Sequence, residues 1–371
     1  MNRSLLLCLL VALVLRLTFV LVVFPVLQDR WQLREDGDGY RPIAQSIRDQ
    51  QYTDVTRGPV YPAIVAACPG RTLPVVQALL DTAVCALIFW LTGRQLSAAW
   101  LWALYPFAIW RVAFVNKETV LTFYLAIYIC LQLRAWRSGH WRDWAAAGLA
   151  CGLVNLCKPM FLLWPVLLLF VMPRRAWILL VALLALLAPW TYRNWCVTGG
   201  EFLPVATERG GVTTFIGNYQ PSAGSWEGPG KAQWQAAVAE ISTQNPGASV
   251  VQLDCVFYRA AWQQIAGNPV QAVGLAIRKC GRFWFFSAKR RELLLAGLIQ
   301  GGYLALLGFG LWRVPWTRER GLLLALIGYV MVVHALSYAD LRFSLPIMPC
   351  VCALAASAFV GRGRTAPCQQ A

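Results

Sequence analysis

Charge is scarce in this chain. Only 13% of its 371 residues are Asp, Glu, Lys or Arg, where a soluble domain of ordinary composition carries roughly 25%. Acids are scarcest, 17 against 33 Lys and Arg, which leaves a net charge of +16. Histidine occurs twice, at His140 and His334, too few for a histidine-built zinc site. The twelve cysteines include no Cys-x-x-Cys pair. Most lie in apolar stretches, where cysteine acts as a small apolar residue; Cys196, Cys255 and Cys280 lie in a polar loop, where a disulfide is open to them. A phosphate-binding Walker loop, a Gly-x-Ser-x-Gly elbow and a dinucleotide fingerprint are all missing, which argues against a soluble nucleotide-dependent enzyme.

What the chain has instead is apolar length. It is 58% hydrophobic, with a mean hydropathy of +0.53. In lipid every backbone polar group must be satisfied internally, so the choice lies between helices and a closed barrel. Barrels show short alternating strands; this sequence shows long continuous runs. They lie at 5–27, 73–91, 97–115, 119–133, 144–157, 160–172, 177–190, 293–311, 322–336 and 345–360. The expected fold class is all-α and polytopic, with about ten transmembrane helices. The first run, broken only by Arg16, is too long for a signal peptide and lacks a small-residue cleavage site.

Basic residues set the expected topology. With the N-terminus inside, Arg3, Arg94, Arg134, Arg137, Arg142, Arg174, Arg175, Arg313, Arg318, Arg320, Arg362 and Arg364 all fall on the cytoplasmic side. Two longer loops, 28–72 and 192–292, then face outward. The chain thus divides into an N-terminal membrane module (1–194), an extracytoplasmic loop domain (195–292) and C-terminal membrane helices (293–371). Within the loop domain, Gly210–Asn218 reads as a strand or turn, 232–242 and 254–266 read as helical, and 270–286 reads as an amphipathic helix returning to the membrane, so the expected domain is small and mixed. The outward basic residues Arg30, Arg34, Arg41, Arg48 and Arg57, and 278–291 with Arg278, Lys279, Arg282, Lys289, Arg290 and Arg291, suit either lipid head groups or a lipid-linked phosphate. They sit at span ends rather than on a soluble basic face, so nucleic acid is not an expected partner.

The candidate chemistry gathers on the outward face. Asp36 and Asp38 follow the first run, with Glu35 beside them, and the spacing of Ile43, Ala44 and Ile47 predicts a short amphipathic helix after them. An acid there serves either as a helix cap or as a general base or ligand for Mg²⁺ or Mn²⁺. Arg57-Gly58-Pro59-Val60-Tyr61-Pro62 makes a rigid turn whose Arg57 and Tyr61 suit a phosphate or a sugar. Asn116-Lys117-Glu118-Thr119 sets a Lys–Glu pair at a span boundary, where polar groups are costly unless satisfied. Lys158-Pro159, Thr191-Tyr192-Arg193-Asn194 and Asp340-Leu341-Arg342-Phe343 fall on the same face.

In order and spacing these segments resemble the bacterial polyprenol-phosphate-dependent glycosyltransferases of the GT-C fold, near glycosyltransferase family 39 and the aminoarabinose and protein-mannosyl transferases. The Asp36, Tyr40 and Ala44 stretch resembles the family's acid-x-x-x-Tyr motif. Arg57 to Pro62 resembles its Arg-x-Pro-x-Tyr-Pro segment. Tyr105-Pro106 with Lys117-Glu118 resembles its second-loop pattern, and Asn155 to Pro159 its Arg/Lys-Pro turn. Pro189 to Asn194 resembles the Pro-Trp-x-x-Arg-Asn exit, Ile216-Gly217-Asn218 the Gly-Asn turn, and Arg342 to Pro349 the last-span Arg-x-x-x-Pro segment. The family often has an adjacent Asp-Glu pair where this chain has Glu35-Asp36 and Asp38, and arginine is common where Lys158 stands.

The resemblance implies a multi-pass inner-membrane enzyme of a bacterium. It would transfer a sugar from a polyprenyl phosphate, with inversion, to an extracytoplasmic lipid, glycan or protein. It implies Asp36 as base with Asp38 and Glu118 assisting. Arg57, Lys158, Arg193 and Arg342 would hold the donor phosphate. Tyr40, Tyr61, Lys117 and Asn218 would contact substrate, and Asp36 and Glu118 would hold any divalent cation. A transporter or flippase is the rival reading. The chain stops soon after its last run, so no further acceptor-binding domain is expected.

Overall fold

The structure, a computed structural model, describes residues 3–33, 35–226, 230–285 and 290–359, and of 173, 174 and 290–294 the backbone only. Arg34, Lys289, Arg362 and Arg364 therefore lie outside the described residues, as do the side chains of Arg174, Arg290 and Arg291.

The chain opens with α1 (Arg3–Trp31), which widens into a π turn at Phe19–Val23. Pro25 follows after Phe24, and a proline inside a helix removes one ladder hydrogen bond and crowds the preceding turn. Two short helices come next, α2 (Tyr40–Arg48) and α3 (Val60–Ala67), then α4 (Thr72–Leu91). The helices α5 (Leu96–Ala103) and α6 (Pro106–Arg111) are one apolar run interrupted at Tyr105-Pro106. A hairpin of α7 (Glu118–Ser138) and α8 (Trp141–Cys157) turns at Gly139, whose φ of 65° is open to glycine without strain. The segment α9 (Pro159–Val171) begins as a 3-10 turn and becomes α-helical at Trp164; α10 (Pro173–Val197) runs back. A polar insertion holds α11 (Gly210–Asn218), α12 (Lys231–Thr243), α13 (Val250–Gly267) and α14 (Pro269–Phe285). The chain closes with α15 (Arg290–Arg313), α16 (Arg318–Leu336) and α17 (Leu341–Phe359).

Among the described residues seven helices, α1, α4, α7, α10, α15, α16 and α17, are long and apolar enough to cross a membrane. Among the described residues the fold is all-helical, consistent with a polytopic membrane protein. Three of the ten apolar runs fall short. The 97–115 run is split at Pro106, α8 has 17 residues and is stopped by Lys158-Pro159, and α9 stops before Pro173. Large apolar side chains such as Leu7, Val14, Phe170 and Leu298 stand exposed around the bundle, as lipid-facing surfaces require. The last helix, α17, is almost wholly buried at the centre, and α15 mostly faces outward.

One ion pair holds the interior. Arg16 on α1 meets Asp81 on α4, both fully buried. The guanidinium also donates to the carbonyls of Ala12 (3.1 Å), Ala103 (3.0 Å) and Trp102 (3.3 Å), and the Trp102 indole donates to the Asp81 carbonyl at 3.0 Å. Three helices, α1, α4 and α5, are joined at a depth where an unpaired charge is expensive.

The insertion is helical among its described residues, which corrects the expected mixed domain. Gly210–Asn218 is a helix, not a strand or turn. Its β-branched run Val212-Thr213-Thr214 suggested a strand, but tertiary packing overrides such propensity. Phe215 and Ile216 pack into a core with Trp234, Phe257 and Ala261. The N-terminus of α11 is capped from α13, where Asp254 accepts the Gly211 N–H at 2.8 Å. The other expected helices match α12, α13 and α14. Every described cysteine is free, Cys196, Cys255 and Cys280 included.

Removing one partner of a buried ion pair costs about 3–5 kcal/mol, because the other charge is stranded, whereas replacing both by apolar residues is near neutral. Arg16→Met is expected to lower stability by that amount in a detergent unfolding assay, and Arg16→Met with Asp81→Leu to recover most of it. Equal loss in the single and double variants would show that the pair is not the clamp.

Candidate functional site

At one end of the bundle, segments far apart in sequence converge. The first loop docks there by its backbone: the Val115 N–H, just before α7, donates to the Glu35 carbonyl at 2.9 Å. Asp36 then starts α2. Its carboxylate accepts the N–H groups of Tyr40 (2.9 Å) and Arg41 (2.8 Å), two of the unpaired donors at a helix N-terminus. A carboxylate offers about four acceptor positions, so half-exposed Asp36 keeps capacity for a further donor.

Arg342, at the start of α17, joins two of the acids. Its Nη1 lies 3.1 and 3.0 Å from the oxygens of Asp38, and its Nε lies 3.8 Å from Glu118 Oε1. Asp340 caps the same turn, accepting the Arg342 N–H at 3.0 Å. Burial opposes ionisation of Asp38, but Arg342 outweighs it, with Arg57 and Lys117 adding, and the carboxyl is held below its usual range. Glu118 is buried, with a side chain 3% exposed, and its Oε2 has no hydrogen-bond partner.

A second ionic knot centres on Glu208, which sequence reasoning missed. Glu208 pairs with Lys117 and lies 3.5 Å from Arg57; it also accepts the Gly58 N–H at 2.9 Å. Burial pushes its carboxyl up, but Lys117 and Arg57 prevail and hold it below the usual range. Glu208 and Arg209 both adopt left-handed backbone, φ 52° each, which is uncommon outside glycine. Gly58 is required by proximity: a Cβ there would lie 2.3 Å from the Leu156 carbonyl oxygen. Tyr40 and Tyr61 lie buried beneath, their rings edge-to-face at 4.7 Å. The Tyr61 hydroxyl donates to Gln77 at 2.9 Å, and the Arg57 guanidinium sits 5.6 Å over the Tyr40 ring. Both tyrosines therefore support the site's floor and Arg57.

Two cations in the cluster have no counter-ion. Lys158 makes no hydrogen bond or ion pair among the described residues; its Nζ lies 4.2 Å over the Phe343 ring, against which His334 stacks at 4.6 Å. Burial, with nearby Lys117, brings the Lys158 ammonium down to about 8. Arg111, at the end of α6, touches the Phe114 ring at 5.8 Å. It lies within electrostatic reach of Glu118, Arg342, Asp340 and Asp38, and its guanidinium too has no ion pair among the described residues. Its signal was present in the sequence as an arginine inside the 97–115 apolar run.

Two other expected residues stand elsewhere in the arrangement. Arg193 is sandwiched 4.7 Å from both Tyr52 and Trp190, donating to the carbonyls of Tyr52 (2.6 Å) and Asp54 (3.0 Å); it clamps the first loop to α10. Asn218 is buried with its amide engaged. Its side chain donates to Thr214 (2.9 Å) and Leu336 (2.8 Å) carbonyls and accepts from Lys279 at 3.0 Å, which seats the insertion on α16.

Among the described residues no group of three or more His, Cys, Asp or Glu side chains gathers as a metal site would. Asp38 and Glu118 face Arg342, and Glu208 faces Lys117 and Arg57, so these three acids are matched by cations. Compared with protein-family models and with curated proteins, the chain matches none.

The depressed Glu208 carboxyl gives a signed pH dependence. Its ion pairs contribute stability that is fully present above the ordinary carboxylate value of 4.5 and is lost as pH falls through the lower folded value. Wild type should lose melting temperature progressively below about pH 4.5, and Glu208→Gln should start lower and show a shallower acid limb. Parallel acid limbs in the two proteins would remove Glu208 from this role.

Proposed function

We propose that this chain is a membrane glycosyltransferase of GT-C type that moves a sugar from a polyprenyl-phosphate donor to an extracytoplasmic acceptor. The observation that carries the reading is the convergence, at one end of an apolar bundle, of three acids (Asp36, Asp38, Glu118) with two uncompensated cations (Arg111, Lys158). A lipid-linked phosphate meets protein at such a boundary, and sugar transfer from it needs a base on one side and positive charge on the other. On this reading the chain is a multi-pass protein of a bacterial inner membrane. The N-terminus lies in the cytoplasm, the charged end of the bundle faces out, and the short α5–α6, α8 and α9 complete ten passes.

In the reaction, the acceptor hydroxyl oxygen attacks the anomeric carbon while the bond from that carbon to the phosphate oxygen breaks. The electron pair leaves with the polyprenyl phosphate, and the anomeric centre inverts. Asp36 takes the hydroxyl proton; the Tyr40 and Arg41 N–H groups orient its carboxylate. A positioned base is worth roughly 10²–10⁴-fold. Lys158 and Arg111 receive the leaving phosphate, with Arg342 beside them, since charge stabilisation matters most there. Arg57 and Lys117, engaged with Glu208, shape the pocket wall. Asp38 fixes Arg342, and Glu118 Oε2 is free to orient the acceptor. Arg193 and Asn218 hold the loops that frame the pocket.

The rival reading, a transporter or flippase, has one feature in its favour: the ion pair Arg16–Asp81 at membrane depth, with Asp81 Oδ1 lacking a partner. Both side chains are fully buried, so this charge is not exposed to a passing solute.

The test is reconstitution in bilayers with a panel of polyprenyl-phosphate sugars and a crude envelope acceptor, following free polyprenyl phosphate. Wild type should release it, and Asp36→Asn should lose at least about 10²-fold while keeping its melting curve. Release should also decline as pH rises through about 8, where the Lys158 ammonium is lost, and Lys158→Arg should shift that decline upward. Full release by a folded Asp36→Asn would overturn the base assignment; vesicle uptake of a labelled substrate with no sugar transfer would favour transport.

A further inference from the structure

Between α9 and α16, at the far end of the bundle from the acids, lies an apolar cavity of about 800 Å³, large enough for a sizeable ligand. Trp136 of α7, with Trp164 and Leu168 of α9, forms one wall. The other is a single face of α16, repeating every three or four residues from Arg318 through Ala325 and Tyr329 to Val332. At 1.5 Å per residue that face is about 21 Å long, longer than half the hydrocarbon core of about 15 Å. A chain from one leaflet therefore fits along it.

The mouth of the groove is charged. Arg318 is exposed and makes no hydrogen bond or ion pair among the described residues. Its neighbours are occupied: Glu319 pairs with Arg137 at 2.5 Å, and Arg320 donates to the Pro315 carbonyl and to Ser357. The adjacent acid is thus taken, and no acid among the described residues pairs with Arg318. Near the acid end of the groove α16 is tied to α9. The Tyr329 hydroxyl donates to the Met160 carbonyl at 2.6 Å, and the Tyr329 ring lies 5.5 Å from Trp164 and 6.2 Å from Phe161.

We propose that this groove is a binding site for an anionic phospholipid of the leaflet opposite the charged pocket, with one acyl chain between α9 and α16 and its phosphate on Arg318. An arginine meets a phosphate through paired N–H donors, and the apolar walls take the chain out of a surface that is otherwise left unpacked. The site is separate from the pocket of the transferase reading and does not depend on it.

The experiment titrates purified full-length protein in neutral detergent with phosphatidylglycerol, phosphatidylcholine or a polyprenyl phosphate, reading bound lipid by native mass spectrometry and the melting temperature alongside. Wild type should hold one equivalent of phosphatidylglycerol and melt higher with it. Arg318→Gln should weaken that binding about tenfold, the equivalent of one charged hydrogen bond, and Ala325→Trp, which fills the groove from an exposed position, should abolish it. Arg318→Gln alters only an exposed side chain, so it decides the question even if Ala325→Trp does not fold. Equal binding by Arg318→Gln and wild type, equal binding of phosphatidylcholine, or one-for-one displacement by the polyprenyl phosphate would each overturn the proposal.

Discussion

Arg342 is the residue on which the charged end of the molecule depends. It opens the most buried helix, α17, and from there it reaches Asp38 in the first loop and Glu118 at the head of α7. In sequence Arg342 lies 304 residues from Asp38 and 224 from Glu118, so no local preference brings them together. The low dielectric of a bundle end makes each charge intolerable alone and favourable in company. Once Arg342 is placed, the acids have a defined position, and the loops that carry them have little freedom left.

The same rule recurs at every level of the fold. Arg16 and Asp81 satisfy one another inside the bundle, Glu208 gathers Lys117, Arg57 and the Gly58 N–H, and buried Lys279 finds Asn218 and the Ser337 carbonyl. Each pairing joins elements that the chain order separates. Among the described residues Lys158 and Arg111 at one end, and Arg318 at the other, also stand without an ion-pair partner. The first two face the acids, and the third stands at the mouth of an apolar groove.

The broken helices are the geometric counterpart of this charge pattern. Prolines at 106 and 159 interrupt the apolar runs beside the pocket, which leaves room for polar loops to enter the bundle end. Irregular backbone at such a depth is tolerated where it is covered by protein or lines a cavity. Gly58, pressed against the end of α8, shows how closely the loops are seated.

Much of this was legible in the amino-acid sequence. The apolar runs identified the spanning helices because lipid demands length and leaves the backbone no alternative, and the spacing of Ile43, Ala44 and Ile47 identified α2. The acids and cations of the pocket were recognisable singly, as polar residues at span ends. Their partners were not. Glu208 lies in a loop, 150 residues from the Gly58 N–H it accepts, and nothing local marks it as a counter-ion. Gly210–Asn218 carried the pattern of a strand and became a helix because α13 supplied its cap and its core. Which residue meets which, and which charge is left over, was decided by tertiary structure alone, because ion pairing in a buried medium depends on distance in space, and spacing along the chain does not contain it.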